Sequence, residues 1–466
     1  MYYLFPQIDL GESLMHSDPL LKLCQFVSET SWEKIPPPIR SHVRLTLLDT
    51  IGAIIAGSHQ EEVSRLLAQL PTDGKGAQKA TCLGRGWRVA PLTAAMVNGI
   101  AGSSLEFEEG NTWAMGHPAI QLIPAVIAEC EKRKASGGEL LAGLIAGYES
   151  AVRVSRASSL RKGLHPTGTW GTVGAAFGVG RIDGRGPEEL HQIANISASF
   201  AISPNVKNSF VGRNVSATFA GVTNYFGLLS NIFYDCDIRS DGSNVKMTFS
   251  RFVSDRFQEE ELETGLGEDY FIVSNYFKPY PSCRFTHSPI DALKAILQGH
   301  PFQPEEVERI TVETFQAAMH CETKSPSNPE AVRFSIPHLF GILLLYGDIT
   351  LQTMGRVSVR DHRLKSLAER VEMKFVPQYE DLRPRHNPTK VTVRLKSGQE
   401  LSHEVVDSWG DLLNPLSEEA IVGKFVSLAG PVIGKDRAEA FAERISRLEM
   451  EANIEPLIGL LRRSDG

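Results

Sequence analysis

From residue 39, "IRSHVRLTLLDTIGAIIAGS" sets Ile39, Val43, Leu47, Ile51 and Ile54 three or four residues apart and then reaches Gly57. That spacing is the period of an α-helix with one buried face, and the glycine supplies a stop. The pattern recurs over roughly 91–105, 118–134, 139–157, 167–181, 187–201 and 215–230, each stretch bounded by Pro, Gly, Asn or Ser. The first half of the chain therefore reads as helical. Its helices are rich in Ala, Gly and Ser, as in "GTVGAAFGVG" and "NISASFAIS", and such small side chains let helix backbones approach closely in a layered bundle.

After about residue 275 the period shortens. "ERITVETF", "RVEMKFVP" and "KVTVRLKSGQELSHEVV" alternate β-branched and polar residues, the last around a Ser-Gly pair suited to a hairpin. "SPIDALKAILQ" and "PHLFGILLLYG" between them are helical, and "KSPSNPEAVRFSIP" reads as an ordered loop leading into a helix. Beyond Trp409 helix periodicity returns in "SEEAIVGKFVSLAG" and "KDRAEAFAERISRLEM". The expectation is a mainly α fold: a large all-helical domain from 1–274 and 408–466, with a smaller α+β domain inserted over 275–407.

Composition narrows the function. The chain has 466 residues, 42% hydrophobic and 22% charged, with a net charge of -7, which fits an ordinary globular protein. No long Lys/Arg stripe is present to neutralise phosphates, so nucleic acid is not the expected partner. The six cysteines lie far apart, with no C-x-x-C pair and no zinc or cluster spacing. No metal or other cofactor is expected, and neither G-x-G-x-x-G nor G-x-x-x-x-G-K occurs in a nucleotide-binding context. The start, "MYYLFPQIDLGESLMHSD", is not a secretory signal, and apolar stretches such as "LLAGLIAGYESAV" are too short to span a bilayer. A reducing, cytoplasmic setting and a small-molecule partner follow.

Two His-Pro pairs stand out. In "EFEEGNTWAMGHP" an acidic turn containing Glu106, Glu108 and Glu109 leads through Asn111 to His117 and Pro118, and in "GLHPTGTWGTVGA" His165 and Pro166 precede Thr167 and Thr169. Proline suits the first helical position, so each histidine is expected in extended geometry at a helix N-terminus. Such an end favours a bound carboxylate and a neutral imidazole able to act as base or acid. Cations come from Lys207 and Arg213 in "SPNVKNSFVGRN" and from Lys278 and Arg284 in "KPYPSCRFTHSPID", which also holds Cys283 and His287. Cys283 lacks an evident base beside it and is not expected to be a nucleophile. Ordered cations suit a substrate with two or three carboxylates. Together these groups describe cofactor-independent proton abstraction next to a carboxylate.

The segments "VRLTLLDTIGAIIAGS", "AAMVNGIAGSSLEFEEGNTWAMGHPA", "GLHPTGTWGTVGAA", "KPYPSCRFTHSPIDA" and "AVRFSIPHLFGILLLYG" together resemble the MmgE/PrpD family, which includes 2-methylcitrate dehydratase, cis-aconitate decarboxylase and iminodisuccinate epimerase. The resemblance implies a helical domain with an α+β lid, an active site in the cleft between them, and a homodimer. It implies catalytic roles for Glu106, His117, His165, Lys207 and Lys278. Asn111, Thr167, Arg213, Cys283, Arg284 and His287 are the expected substrate contacts. The sequence departs from the family where Glu106 replaces the usual Asp, where Gly110 or Asn111 replaces a Thr, and where Cys283 replaces the histidine of the decarboxylase type. The expected activity is a dehydratase acting on a 2-hydroxy di- or tricarboxylate of the 2-methylcitrate type. An epimerase, a cis-aconitate-type decarboxylase and a catalytically silent binding protein are the alternatives. Both histidines are expected to face one cleft.

Overall fold

A computed structural model describes residues 18–70, 79–204, 215–355 and 359–463. The fold is mainly α. The helices used below are α1 (Pro19–Glu29), α2 (Pro37–Gly57), α3 (Pro91–Ser103), α4 (Ile123–Arg133), α5 (Gly137–Ala157), α6 (Gly171–Ile182), α7 (Pro187–Ala198), α8 (Phe219–Asp235), α9 (His287–Gly299), α10 (Ile336–Tyr346), α11 (His362–Glu369), α12 (Glu418–Ile433) and α13 (Lys435–Ile445). The strands are β1 (Gly110–Asn111), β2 (Asn275–Tyr276), β3 (Val307–Thr314), β4 (Val371–Phe375), β5 (Thr389–Leu395) and β6 (Glu400–Val405). No helix of the described residues is long and apolar enough to cross a membrane.

One buried core gathers side chains from 20–272 and again from 425–461. Small residues set its spacing: a Cβ on Gly147 of α5 would stand 2.7 Å from the Gly174 carbonyl of α6, so these helices meet backbone to backbone. Ser136 and Glu139 close a reciprocal capping box at the start of α5.

A second core draws from 280–401. Its sheet runs β6-β5-β3-β4, with β3 parallel to β4 and the other pairs antiparallel. Along β5, Thr389, Val391, Val393 and Leu395 are buried, while Arg394 is exposed and Lys390 and Thr392 are partly so, the alternation of a sheet covered on one face. Gly398, at φ +88°, makes the turn into β6. The chain leaves the helical core and re-enters it side by side, with Phe277 N–H donating to the Gly410 carbonyl at 3.0 Å.

The regions around the His-Pro pairs differ from the sequence pattern. Expected helix 118–134 is divided into a 3-10 turn at Ala119–Gln121 and α4, with Leu122 at φ -138° between them. Pro124 causes the division, since it lacks the N–H that would carry a continuous helix. The second helix begins at Gly171 rather than beside Pro166. Gly168, at φ +101°, turns the chain against Ser203 first. Only His117 therefore lies directly before a helical turn.

Candidate active site

The acidic turn is held from below. Glu106 has φ +52°, a left-handed conformation that costs a glutamate on the order of 1 kcal/mol and persists only when neighbours enforce it. Lys424 of α12 is one enforcer. Its Nζ donates to the Phe107 carbonyl at 2.8 Å and to Asp49 Oδ1 of α2 at 2.7 Å, and lies 4.2 Å from the centroid of the Phe107 ring. Burial lowers the Lys424 pKa and raises that of Asp49, each against the pull of the other.

The far end of the turn is fixed by a ladder invisible in the sequence pattern. Gly110 pairs with Tyr276 and Asn111 with Asn275, antiparallel. Asn275 is itself anchored to α2, through His42 and through a 2.9 Å bond to Thr46 Oγ1. A side chain at Gly110 would collide with the Tyr276 phenol, so the ladder requires glycine there. Two residues beyond this ladder the chain delivers Lys278.

Lys278 is fully buried, with Nζ 3.3 Å from Glu106 Oε2 and 3.6 Å from Glu108 Oε2. Burial pulls its pKa down, but the two carboxylates outweigh that pull and hold it above the ordinary lysine value. The Glu108 pKa is raised by burial, opposed by Lys278. A ring nitrogen of His117 and carboxylate oxygens of Glu106 and Glu108 lie within 4.8 Å of one another. Such a trio has metal-ligand spacing, yet the Lys278 ammonium already supplies the positive charge that a cation would bring.

Both histidines are held through Nδ1 by main-chain groups. His117 Nδ1 lies 2.6 Å from the Glu109 carbonyl. A carbonyl can only accept, so Nδ1 carries the proton and Nε2 keeps its lone pair. At His165 the Thr167 N–H, which can only donate, reaches Nδ1 at 3.1 Å, while the Thr167 carbonyl stands 3.2 Å from the same atom. The two contacts at Nδ1 accommodate either neutral tautomer of His165. Burial lowers both pKa values to about 4, helped at His117 by the charge of Lys278. Both rings are therefore neutral near pH 7.

One side chain ties the two His-Pro turns together. Gln121 donates from Nε2 to the His117 carbonyl at 3.1 Å and accepts the Gly168 N–H on Oε1 at 3.0 Å. Gly116 also packs against Pro166 and Trp170, and the charge of Glu106 acts on His165. Ser203 pairs with the His165 backbone, its Oγ donating to the carbonyl at 2.7 Å, and the Phe219 ring lies 5.8 Å from the imidazole.

Other expected site residues are occupied elsewhere. The Asn111 amide is buried and spent on the turn: its oxygen accepts the Trp113 and Ala114 N–H groups, and its nitrogen donates to the Phe271 carbonyl at 2.8 Å. Arg284 donates to Ser408 Oγ at 2.7 Å, pairs with Asp411 and lies over the Tyr276 ring. It braces the re-entry strap instead of offering a free cation. His287 Nε2 donates to the Ser282 carbonyl at 3.2 Å, and its ring meets Tyr280 edge-on. Cys283 is buried beside Cys321, with its N–H on the Arg333 carbonyl at 3.0 Å. Thr167 serves through its backbone, as described. Lys207 and Arg213 lie outside the described residues. All six cysteines are free thiols.

Gln121, Lys424 and Arg333 were not singled out from the sequence. The last two had a signal, since each is the one charge in an apolar stretch, "AIVGKFVSLAG" and "AVRFSIPHLF".

Residues 21–215 match the MmgE/PrpD N-terminal domain and residues 280–450 the MmgE/PrpD C-terminal domain. The chain is similar to the cis-aconitate decarboxylase of Aspergillus terreus (strain NIH 2624 / FGSC A1156), at 22% identity over 97% of each chain. It is also similar to the mouse (Mus musculus) cis-aconitate decarboxylase, at 24% identity over 89% of this chain and 88% of that one. A third relative is the cis-aconitate decarboxylase-like protein oryM of Aspergillus oryzae (strain ATCC 42149 / RIB 40), at 22% identity over 94% of this chain and 96% of that one. With both halves of its sequence matched in order, and the acidic turn, the His-Pro pairs and the buried lysine in place, the chain belongs to the MmgE/PrpD family.

Proposed function

We propose that this protein is a cofactor-independent lyase that removes water from a 2-hydroxy di- or tricarboxylate of the alkylcitrate type. The observation that carries the reading is a neutral His117 with its Nε2 lone pair free beside the buried Lys278, and a second neutral imidazole, His165, tied to the same turn through Gln121. Elimination needs a lone pair to accept the α-proton and a separate proton for the departing hydroxyl. His117 Nε2 offers the first, and His165, in the tautomer that carries its proton on Nε2, offers the second. Lys278 offsets the negative charge that grows on the substrate carboxylate as the α-carbon is deprotonated. Glu106 orients that ammonium and is the other group able to take a proton.

The relatives favour a second reading, decarboxylation of cis-aconitate. Loss of carbon dioxide needs only a proton donor for the resulting carbanion; against this reading, the resemblance puts Cys283 where the decarboxylase type carries a histidine. Epimerisation would use the same base and acid without expelling a group. Residues 275–407 act in this reading as a lid over the site, in a cytoplasmic homodimer; light scattering at a single-protomer mass would remove the dimer.

Incubation with 2-methylcitrate and a panel of di- and tricarboxylates in heavy water, followed by proton NMR, separates the readings. Elimination gives an unsaturated acid, epimerisation gives deuterium at an unaltered skeleton, and decarboxylation gives a product one carbon shorter. No turnover or exchange of any polycarboxylate would remove the enzymatic reading. His117→Gln is expected to lower kcat/KM roughly a hundredfold or more, and an undiminished rate would dismiss His117 as the base.

A further inference from the structure

Arg333 sits at the end of the short helix Pro329–Val332, whose start is capped by Asn328 through a 2.8 Å bond to the Ala331 N–H. It is bound to the loop that carries Lys278 in two ways. Its carbonyl accepts the Cys283 N–H at 3.0 Å, and its Nη1 donates to the Pro281 carbonyl at 2.9 Å. The guanidinium therefore rides on the same loop as the catalytic ammonium, three residues further along. Its Nε is buried and makes no hydrogen bond among the described residues. No carboxylate among them forms an ion pair with it, although Glu106, Glu330, Glu62 and Glu108 all act on its charge and oppose the lowering that burial imposes.

A half-buried guanidinium whose shielded Nε–H is unused is a costly arrangement unless an anion completes it. Arginine's fixed fork matches a carboxylate bidentately, which lysine cannot do. We propose that Arg333 is a substrate-binding residue that receives a second carboxylate of the substrate while Lys278 serves the one next to the reacting carbon. This rests on the polycarboxylate reading above and deepens it. With Arg284 committed to Asp411 and Ser408, Arg333 takes over the role the sequence pattern gave to Arg284. Substrates with a single carboxylate would leave it unpaired and bind poorly.

Calorimetric titration of the full chain tests this with three probes: propane-1,2,3-tricarboxylate, pentanedioate, which lacks the central carboxylate, and 2-methylbutanedioate, which lacks a terminal one. In Arg333→Met the tricarboxylate is expected to bind about tenfold or more weakly. The dicarboxylate that lacks the partner of Arg333 is expected to change less than about threefold. The same loss for all three probes would mean that Arg333 only supports the loop, and a tricarboxylate loss under about threefold would mean no contact; either overturns the proposal. Arg333→Lys, judged by the same criteria, serves if the methionine variant does not fold. Failure of the unsubstituted protein to bind any probe would instead remove the polycarboxylate reading and this inference with it, whereas a uniform loss in the variant leaves that reading standing.

Discussion

His117 illustrates how one residue's chemistry is set by its backbone surroundings. The Glu109 carbonyl fixes its tautomer, and burial with the nearby Lys278 charge lowers its pKa to about 4. A base of that pKa is fully available across the neutral range. The kcat/KM profile should thus stay flat as pH falls through 6.5, the ordinary histidine value, and bend down only near pH 4 if the fold persists. A bend at pH 6 to 7 would show that His117 is solvated in the working enzyme. The histidine was legible in the sequence because proline restricts the residue before it. Its tautomer was not, because the deciding acceptor is a main-chain carbonyl that any residue at position 109 would supply.

At the scale of elements, the site is an assembly of short irregular segments clamped between long regular ones. The acidic turn is pinned by α12 through Lys424 and by the β1–β2 ladder, and α2 anchors both through Asp49, His42 and Thr46. Lys424→Met would leave the Asp49 carboxylate buried without its partner, and losing one member of a buried pair costs about 3–5 kcal/mol. Urea unfolding should register most of that loss, and adding Asp49→Asn should restore much of it; an unchanged midpoint in the single variant would show the pair to be dispensable. The long helices were readable from periodicity alone, since their faces are apolar every three or four residues. The ladder was not, because two-residue strands carry no alternation and pairing partners 164 and 166 residues apart leave no local trace. Pro124 and Gly168 broke the expected helices for a related reason: apolar runs on either side of them share a period although the backbone does not.

Across the whole molecule, buried titratable groups couple stability to pH. Burial raises the pKa of Glu109 to about 8, and those of Glu149 and Asp183 to about 7, with Glu129 adding to the shift at Asp183. Their folded values exceed the unfolded ones, so the folded chain binds more protons and these groups withdraw stability as pH rises from the ordinary carboxylate range toward 7 to 8. The buried histidines act oppositely: with folded values near 4 for His117, His165 and His338, they add stability as pH rises from about 4 to 6.5. Above pH 6.5 only the carboxyl effect remains, so the melting temperature should fall between pH 6.5 and 8. Glu109→Gln should flatten that decline, and a slope unaffected by this change would show that Glu109 is already ionised at neutral pH. The sequence by itself determined the mainly α class, the helical stretches, the alternating strands, and the presence of an acidic turn, His-Pro pairs and a lysine beside a Pro-Tyr-Pro turn, because period, proline and composition act locally. Only the tertiary structure decided that Arg284 is spent on Asp411 while Arg333 keeps an unused N–H, that Asn111 belongs to the turn, and that Gln121 and Lys424 hold the site together. Those outcomes depend on which donor meets which acceptor across hundreds of residues, a matter of packing that no local pattern encodes.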